Sequence, residues 1–239
     1  MQYKRRTKLD IKNESRGTVI VAGASYGSGR QTSLRFAEEG FTVIALARTE
    51  SALKNLSDSH ENITAYSIDL SNKEEISKFG DYISDMDVSI LVNVAGGGID
   101  YVPVEYSKED HLQQCFDINV FYVFNMSKVL IPIFKKNKRG HIINITSTAA
   151  DNIFPGSNSY SAAKKANSVI TESLRFELHQ DNIRVTEIAP GTINGRQPRE
   201  VALSSSDVAE AIFWVSQLPE TVNINKISMA HTKSIDRPW

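Results

Sequence analysis

The stretch SYSAAKK over residues 159–165 places Tyr160 four residues ahead of Lys164. In a helix that spacing puts a phenol and an ammonium on one face, near enough to meet. Whether that meeting is chemistry or only packing depends on what the rest of the chain brings to it. Ser147 precedes this pair in NITSTA, at the end of a β-branched run. A serine leaving a strand is ordinarily a turn former. Its meaning changes when Tyr160 and Lys164 open the next helix, since the three tips can then converge on one cleft.

A second group of residues suits a phosphate-bearing ligand. VAGASYGSGRQ sets Gly23, Gly27 and Gly29 in a G-x-x-x-G-x-G spacing, with Ser25 and Ser28 between them. Glycines there permit a tight turn and close backbone approach to a pyrophosphate, and a following helix start offers free N–H groups. The next β-branched run ends ALARTES, where an NAD site would place a carboxylate for the ribose hydroxyls. Ala47 and Arg48 stand there instead. Arg48 suits a 2′-phosphate through paired charge-assisted hydrogen bonds, against the alternative of a surface arginine at a strand end. Asp69 and Leu70 close a third run, the aspartate suited to an adenine amino group. Asn93, Ala95 and Gly96 close a fourth, leaving room for ribose and nicotinamide.

These residues must be held by elements whose rhythm is regular. Short runs such as TVIVAG, FTVIALA, ITAYSIDL and VSILVNVAG alternate with segments of helical period, including a long helix near 107–136. After them come GHIINITS, a helix over about 157–180, IRVTEIAPG, a short helix near 206–217 and a last strand around NINKISMA. That pattern predicts an α/β fold with seven strands in one doubly wound parallel sheet. Ligands of such sheets bind at the carboxyl ends of the strands, where the candidate residues lie.

The bounds agree. The 239 residues suit one domain over 17–239, and residues 1–16, rich in Lys and Arg, form a charged arm, either an anionic tether or a solvated segment. A formal charge of -1 gives no electrostatic case for nucleic acid or a membrane surface. One cysteine and five scattered histidines lack the spacing of a metal site. With no uninterrupted apolar run of about 18 residues and no apolar leader, the expectation is a cytoplasmic enzyme or binding protein.

Taken together, the glycine loop, NVAG, Asn119 in FDINVF, Ser147, Tyr160 with Lys164, and the PG of Pro190 and Gly191 resemble the short-chain dehydrogenase/reductase family. The closing segment DVAEAIFWVSQLPETVNINKISM looks most like the NADP-dependent 3-hydroxy acid dehydrogenases, which oxidise serine, allo-threonine and related short 3-hydroxy acids. The resemblance implies a three-layer Rossmann fold and NADP(H) in preference to NAD(H). It implies Tyr160 as general acid/base, Lys164 as its cation and ribose ligand, and Ser147 as hydrogen-bond partner of the substrate oxygen. Asn119 would perturb its helix and position a water leading from Lys164 to solvent. Pro190, Gly191 and Ile193 would join the cofactor site, and a homodimer or homotetramer would form through the long helices.

Three positions depart from the family pattern: Ala22 before the first glycine, Val94 in the usual NNAG, and Gly195 where a threonine often contacts the nicotinamide carboxamide. The segment between Pro190 and the helix near Ser206 is also short, a polar stub carrying Arg196 and Arg199. Those arginines are either carboxylate ligands or exposed loop residues. A shortened lid implies weak catalysis, a larger substrate or a lid from a neighbouring subunit. Two alternatives remain open at this stage: a 3-oxoacyl thioester reductase, and an NADP(H)-binding regulatory protein with little turnover.

Overall fold

The computed structural model describes residues 16–195 and 199–234. Most of the charged arm and Arg196 therefore lie outside the described residues. Arg16 belongs to the folded body: it bonds Gln217 and Glu39 and covers the Phe41 ring at 4.7 Å.

Seven strands form one parallel sheet in the order β3-β2-β1-β4-β5-β6-β7. They are β1 Thr18–Ala22, β2 Thr42–Ala47, β3 Ile63–Ser67, β4 Val88–Asn93, β5 Gly140–Ile145, β6 Ile183–Pro190 and β7 Lys226–Met229. The helices are α1 Gly27–Glu38, α2 Glu50–Ser57, α3 Lys73–Ile83, α4 Glu109–Phe116, α5 Tyr122–Asn137, α6 Asn158–Leu178 and α7 Ser205–Ser216. The sheet matches the expectation, including its count, direction and double winding.

Both sheet faces are covered, so the strands read as near-continuous apolar runs whose successive side chains alternate between two cores. Val19, Val21, Val43 and Ile143 pack with Phe36 of α1 and Ile212 of α7. Ile20, Leu46, Leu91 and Ile142 pack with Phe79 of α3, Met126 of α5 and Leu174 of α6. Register aligns the strand exits: Ala22 lies opposite Asn93, and Asn93 opposite Asn144. The catalytic candidates therefore leave the sheet along one edge.

Two helix starts show why the chain turns where it does. The Asn72 side chain accepts from the N–H groups of Glu74 and Glu75, and Ser204 and Asp207 form a reciprocal capping box at α7. The long helix differs from its expected form. Residues 117–121 make a π-helical segment that joins α4 to α5, giving 29 continuous helical residues over Glu109–Asn137. That stretch is long and apolar enough to cross a membrane by length and composition. Its inner face is instead spent on the core through Tyr122, Met126, Leu130 and Phe134.

Candidate active site

The β1 exit is built for close approach. Gly23 has φ +104°, and a Cβ there would meet the Ala95 backbone nitrogen at 2.5 Å. A Cβ on Gly29 would sit on the Gly23 carbonyl oxygen. Only glycine fits either place. Tyr26 precedes α1 in an extended conformation with no side-chain capping bond, so the first-turn N–H groups point onward uncapped. The neighbouring exit is pinned by bonds from the Val94 and Ala95 amides to the Ala22 carbonyl, at 2.9 and 2.8 Å, and by Tyr122 Oη donating to Ala95 O at 2.7 Å.

A groove of about 450 Å³ runs along this edge. Of the residues expected to hold a cofactor, Gly23, Ser25, Ser28, Gly29, Arg48, Asp69, Leu70, Ala95, Gly96, Tyr160, Lys164, Pro190, Gly191 and Ile193 line it. Two do not. Gly27 turns the loop with φ +56° from behind the lining. Asn93 is fully buried and donates through Nδ2 to Asn144 Oδ1 at 2.8 Å, so it ties two strand ends together beneath the groove. Tyr26, Ile68, Ser71, Ile118, Ile145 and Thr146 line the groove without having been singled out. For Tyr26 and Thr146 the signal was their place beside Gly27 and Ser147.

Charge at the far end is arranged around Arg48, which is exposed. Burial would raise the Asp69 carboxyl, but hydrogen bonds from the Ser71 amide and hydroxyl, helped by the Arg48 charge, hold it below its ordinary value. Asp69 is therefore an ionised acceptor at the β3 exit.

At the other end, Ser147, Tyr160 and Lys164 come together. Ser147 accepts from the Ala149 amide at 3.1 Å, and its hydroxyl lies close enough to that of Tyr160 to favour the ionised phenol. The turn that carries Ser147 is braced from below. Thr146 Oγ1 donates to buried Glu187 at 2.7 Å, and Lys226 of β7 joins Glu187 to Asp151 at 3.3 and 2.6 Å.

Lys164, expected as the cation beside Tyr160, is buried one turn along α6. Its Nζ donates to the Ile145 carbonyl at 3.0 Å and lies 5.9 Å from the phenol ring centroid. Burial pulls Lys164 down to about 8, and burial also raises Tyr160, with the neighbouring Ser147 hydroxyl opposing in part. Desolvation outweighs the charge effect at both groups. The phenol thus keeps its proton near neutral pH.

Asn119 sits in the π-helical segment, as a helix-perturbing residue would. It does not line the groove. Its Oδ1 accepts from Gly97 N at 3.1 Å and its Nδ2 donates to Gly97 O at 2.9 Å and Cys115 O at 2.8 Å, so it grips the β4 exit. The Asn119 carbonyl accepts from Asn167 Nδ2 at 2.9 Å. Asn167 was not anticipated, although Tyr160, Lys164, Asn167 and Thr171 share one helical face. The segment from Gly191 to Ser204 contains no helix among its described residues and closes through bonds from Asn194 N to Leu203 O and from Leu203 N to Thr192 O, each 2.8 Å.

A family model described as short chain dehydrogenase matches residues 17–202. NADP-dependent 3-hydroxy acid dehydrogenase YdfG of Salmonella typhi is 32% identical over 88% of this chain and 93% of its own. The crystal structure of serine dehydrogenase from Escherichia coli superposes with a TM-score of 0.82 at 32% identity, covering 89% of this chain and 96% of that one. A closed form of serine dehydrogenase complexed with NADP+ does so with a TM-score of 0.83 at 30% identity, covering 89% and 94%. The glycine cradle, the Ser147, Tyr160 and Lys164 cluster and these similarities together establish that this chain belongs to the short-chain dehydrogenase family of oxidoreductases.

Proposed function

We propose that this protein is an NADP(H)-dependent oxidoreductase that interconverts a hydroxy compound and its carbonyl, with Tyr160 as the proton carrier. The observation that carries the reading is that Tyr160, which has Ser147 beside it, and Lys164 line the same groove as the glycine cradle. The cradle suits a pyrophosphate, since Gly23 packed on the Ala95 backbone and Gly29 packed on the Gly23 carbonyl keep the loop tight at the start of α1, where backbone N–H groups meet the groove. Arg48 would hold the 2′-phosphate, Asp69 the adenine, and Lys164, Ala95, Gly96 and Ile193 the nicotinamide half. When bound, the nicotinamide supplies hydride to the substrate carbon in reduction and accepts it in oxidation.

The chain's own residues then divide the remaining work. Ser147 holds the substrate oxygen by a hydrogen bond that strengthens as negative charge develops there. Tyr160, kept protonated by burial, gives that oxygen its proton in reduction and recovers one from the hydroxyl in oxidation. Lys164 is a ribose ligand whose charge, present below about pH 8, steadies the phenolate left after proton transfer. A 3-hydroxy acid, the class named for the Salmonella relative, is the first substrate class to test.

Exposed Phe121 at the end of the π-helical segment and Phe124 on α5, with Val169 and Phe176 on α6, support assembly of like subunits through this pair of helices. Sedimentation of a monomer at micromolar concentration would refute that part. For the activity, nicotinamide absorbance is followed with NADP(H) and NAD(H) across hydroxy acids, alcohols and carbonyl compounds. NADP(H)-preferring turnover supports the reading. Turnover of 3-oxoacyl thioesters alone would narrow it to a thioester reductase, and NADPH binding without any turnover would replace it with a regulatory role.

A further inference from the structure

We propose that the substrate side of this site is an aromatic shelf, formed by Tyr101 and Phe154, that selects substrates whose reacting carbon bears a flat apolar group. The inference rests on the oxidoreductase reading and narrows its substrate class.

Tyr101 and Phe154 stack with ring centroids 5.8 Å apart and planes at 30°. Tyr101 also meets Tyr160 edge-on, at 6.0 Å and 71°. The shelf is thus continuous with the proton carrier. Both rings remain open to solvent, Tyr101 at 54% and Phe154 at 38%. Two adjacent exposed rings beside a reacting group are costly to leave in water and gain most from a flat partner, by burial and by offset or edge-on ring contact.

The shelf is also held in place before any substrate arrives. A Cβ on Gly98 would strike the Tyr101 ring and its hydroxyl at 2.5 Å, so the ring lies directly on that glycine. Gly156, at φ +82°, lets the Tyr101 backbone approach within 3.0 Å of where its side chain would begin, and Asn158 Nδ2 anchors Val102 O at 2.8 Å. Phe154 is fixed from both sides by Ser157, which accepts from its amide at 3.1 Å and donates to its carbonyl at 2.6 Å. A ring surface prepared in this way loses little freedom on binding.

Small polar acids find less here. Asp100 on this rim is committed to His111 at 2.7 Å, and the cation whose charge reaches Tyr101 among the described residues is exposed Arg199. The short segment before α7 leaves the rings uncovered by any helix among the described residues.

The test compares two 3-hydroxy acids that differ by the ring, 3-hydroxy-3-phenylpropanoate and 3-hydroxybutanoate, oxidised with NADP+ by the wild type, Tyr101→Ala, Tyr101→Phe and Phe154→Ala. The wild type is expected to favour the phenyl compound at least about 10-fold in kcat/KM, equivalent to about 1.4 kcal/mol. Tyr101→Ala and Phe154→Ala should erase that preference mainly through KM, and Tyr101→Phe should keep it. Equal or better use of 3-hydroxybutanoate by the wild type overturns the shelf. So does an equal loss on both acids in Tyr101→Ala with a changed sedimentation coefficient, which would make the rings a subunit contact. If neither acid turns over, the activity reading fails on its own, and calorimetry of acetophenone with the NADP+-loaded protein decides the shelf. Binding that Tyr101→Ala abolishes sustains it, and no binding overturns it.

Discussion

Replacing Lys164 by methionine should make the protein more stable while silencing it, and the gain should depend on pH in a defined way. Lys164 is 3% exposed, and burial lowers it from 10.5 to about 8. Because the folded-state pKa lies below the unfolded one, the native state binds this proton less tightly, and burying the charged ammonium costs stability. The cost is full below about pH 8, is relieved as pH rises from about 8, and is gone above 10.5. At about 1.4 kcal/mol per tenfold, it is about 3 kcal/mol at pH 7 and about 1.5 kcal/mol at pH 9.5. Losing the bond to the Ile145 carbonyl returns about 1 kcal/mol at either pH. Lys164→Met should therefore raise Tm by about 4 to 8 °C at pH 7 and by little at pH 9.5, read by calorimetry without added nucleotide. A variant no more stable than the parent at pH 7, or a gain that does not fade with pH, would refute the claim that desolvation governs this lysine.

Other consequences follow from the same geometry. The proton donor form of Tyr160 is present below its raised pKa, so kcat/KM for reduction should hold through neutral pH and fall only in alkali, while oxidation, which needs the phenolate, should climb in that same alkaline range. A reduction rate that declines between pH 6 and 8 would contradict this assignment. Arg48→Ala should weaken NADPH by about 10- to 100-fold and leave NADH nearly unchanged in direct titrations, since one charge-assisted pair is worth about 1.5–3 kcal/mol; equal losses would remove the arginine from the 2′-phosphate. Gly29→Ala places a methyl against the Gly23 carbonyl, so nucleotide binding should vanish and Tm fall, by about 2 kcal/mol or more of stability. Unchanged NADPH affinity in that variant would show that the cradle is not the pyrophosphate site.

Much of the site was legible because its elements obey local rules. Tyr160 and Lys164 meet through helical spacing alone, and glycines 23 and 29 are required wherever strand β1 must turn beneath a ligand. Asn93 misled because register with Asn144 turned its amide into the sheet, a relation set by the pairing of strands about 50 residues apart. Lys164 shows a second limit: spacing reports who meets, whereas the shift of its pKa depends on how deeply α6 is buried. Tyr101 was invisible because its place is set by Gly98, Gly156 and Asn158, which no periodic signal connects. Asn119 did declare itself through the resemblance, yet its grip on Gly97 and Cys115 depends on a π-helical segment that no local signal in DINVF specifies.

The most direct test of the central claim is NADPH-driven carbonyl reduction by the wild type and Tyr160→Phe, with NADPH affinity measured on both proteins. The phenylalanine keeps the ring and removes the proton beside Ser147. The account predicts unchanged NADPH affinity and a fall in kcat of about 1,000-fold or more, the scale of losing a positioned proton donor. Substantial reduction by Tyr160→Phe would mean that the proton reaches the substrate from elsewhere, and the role assigned to Tyr160 would be wrong.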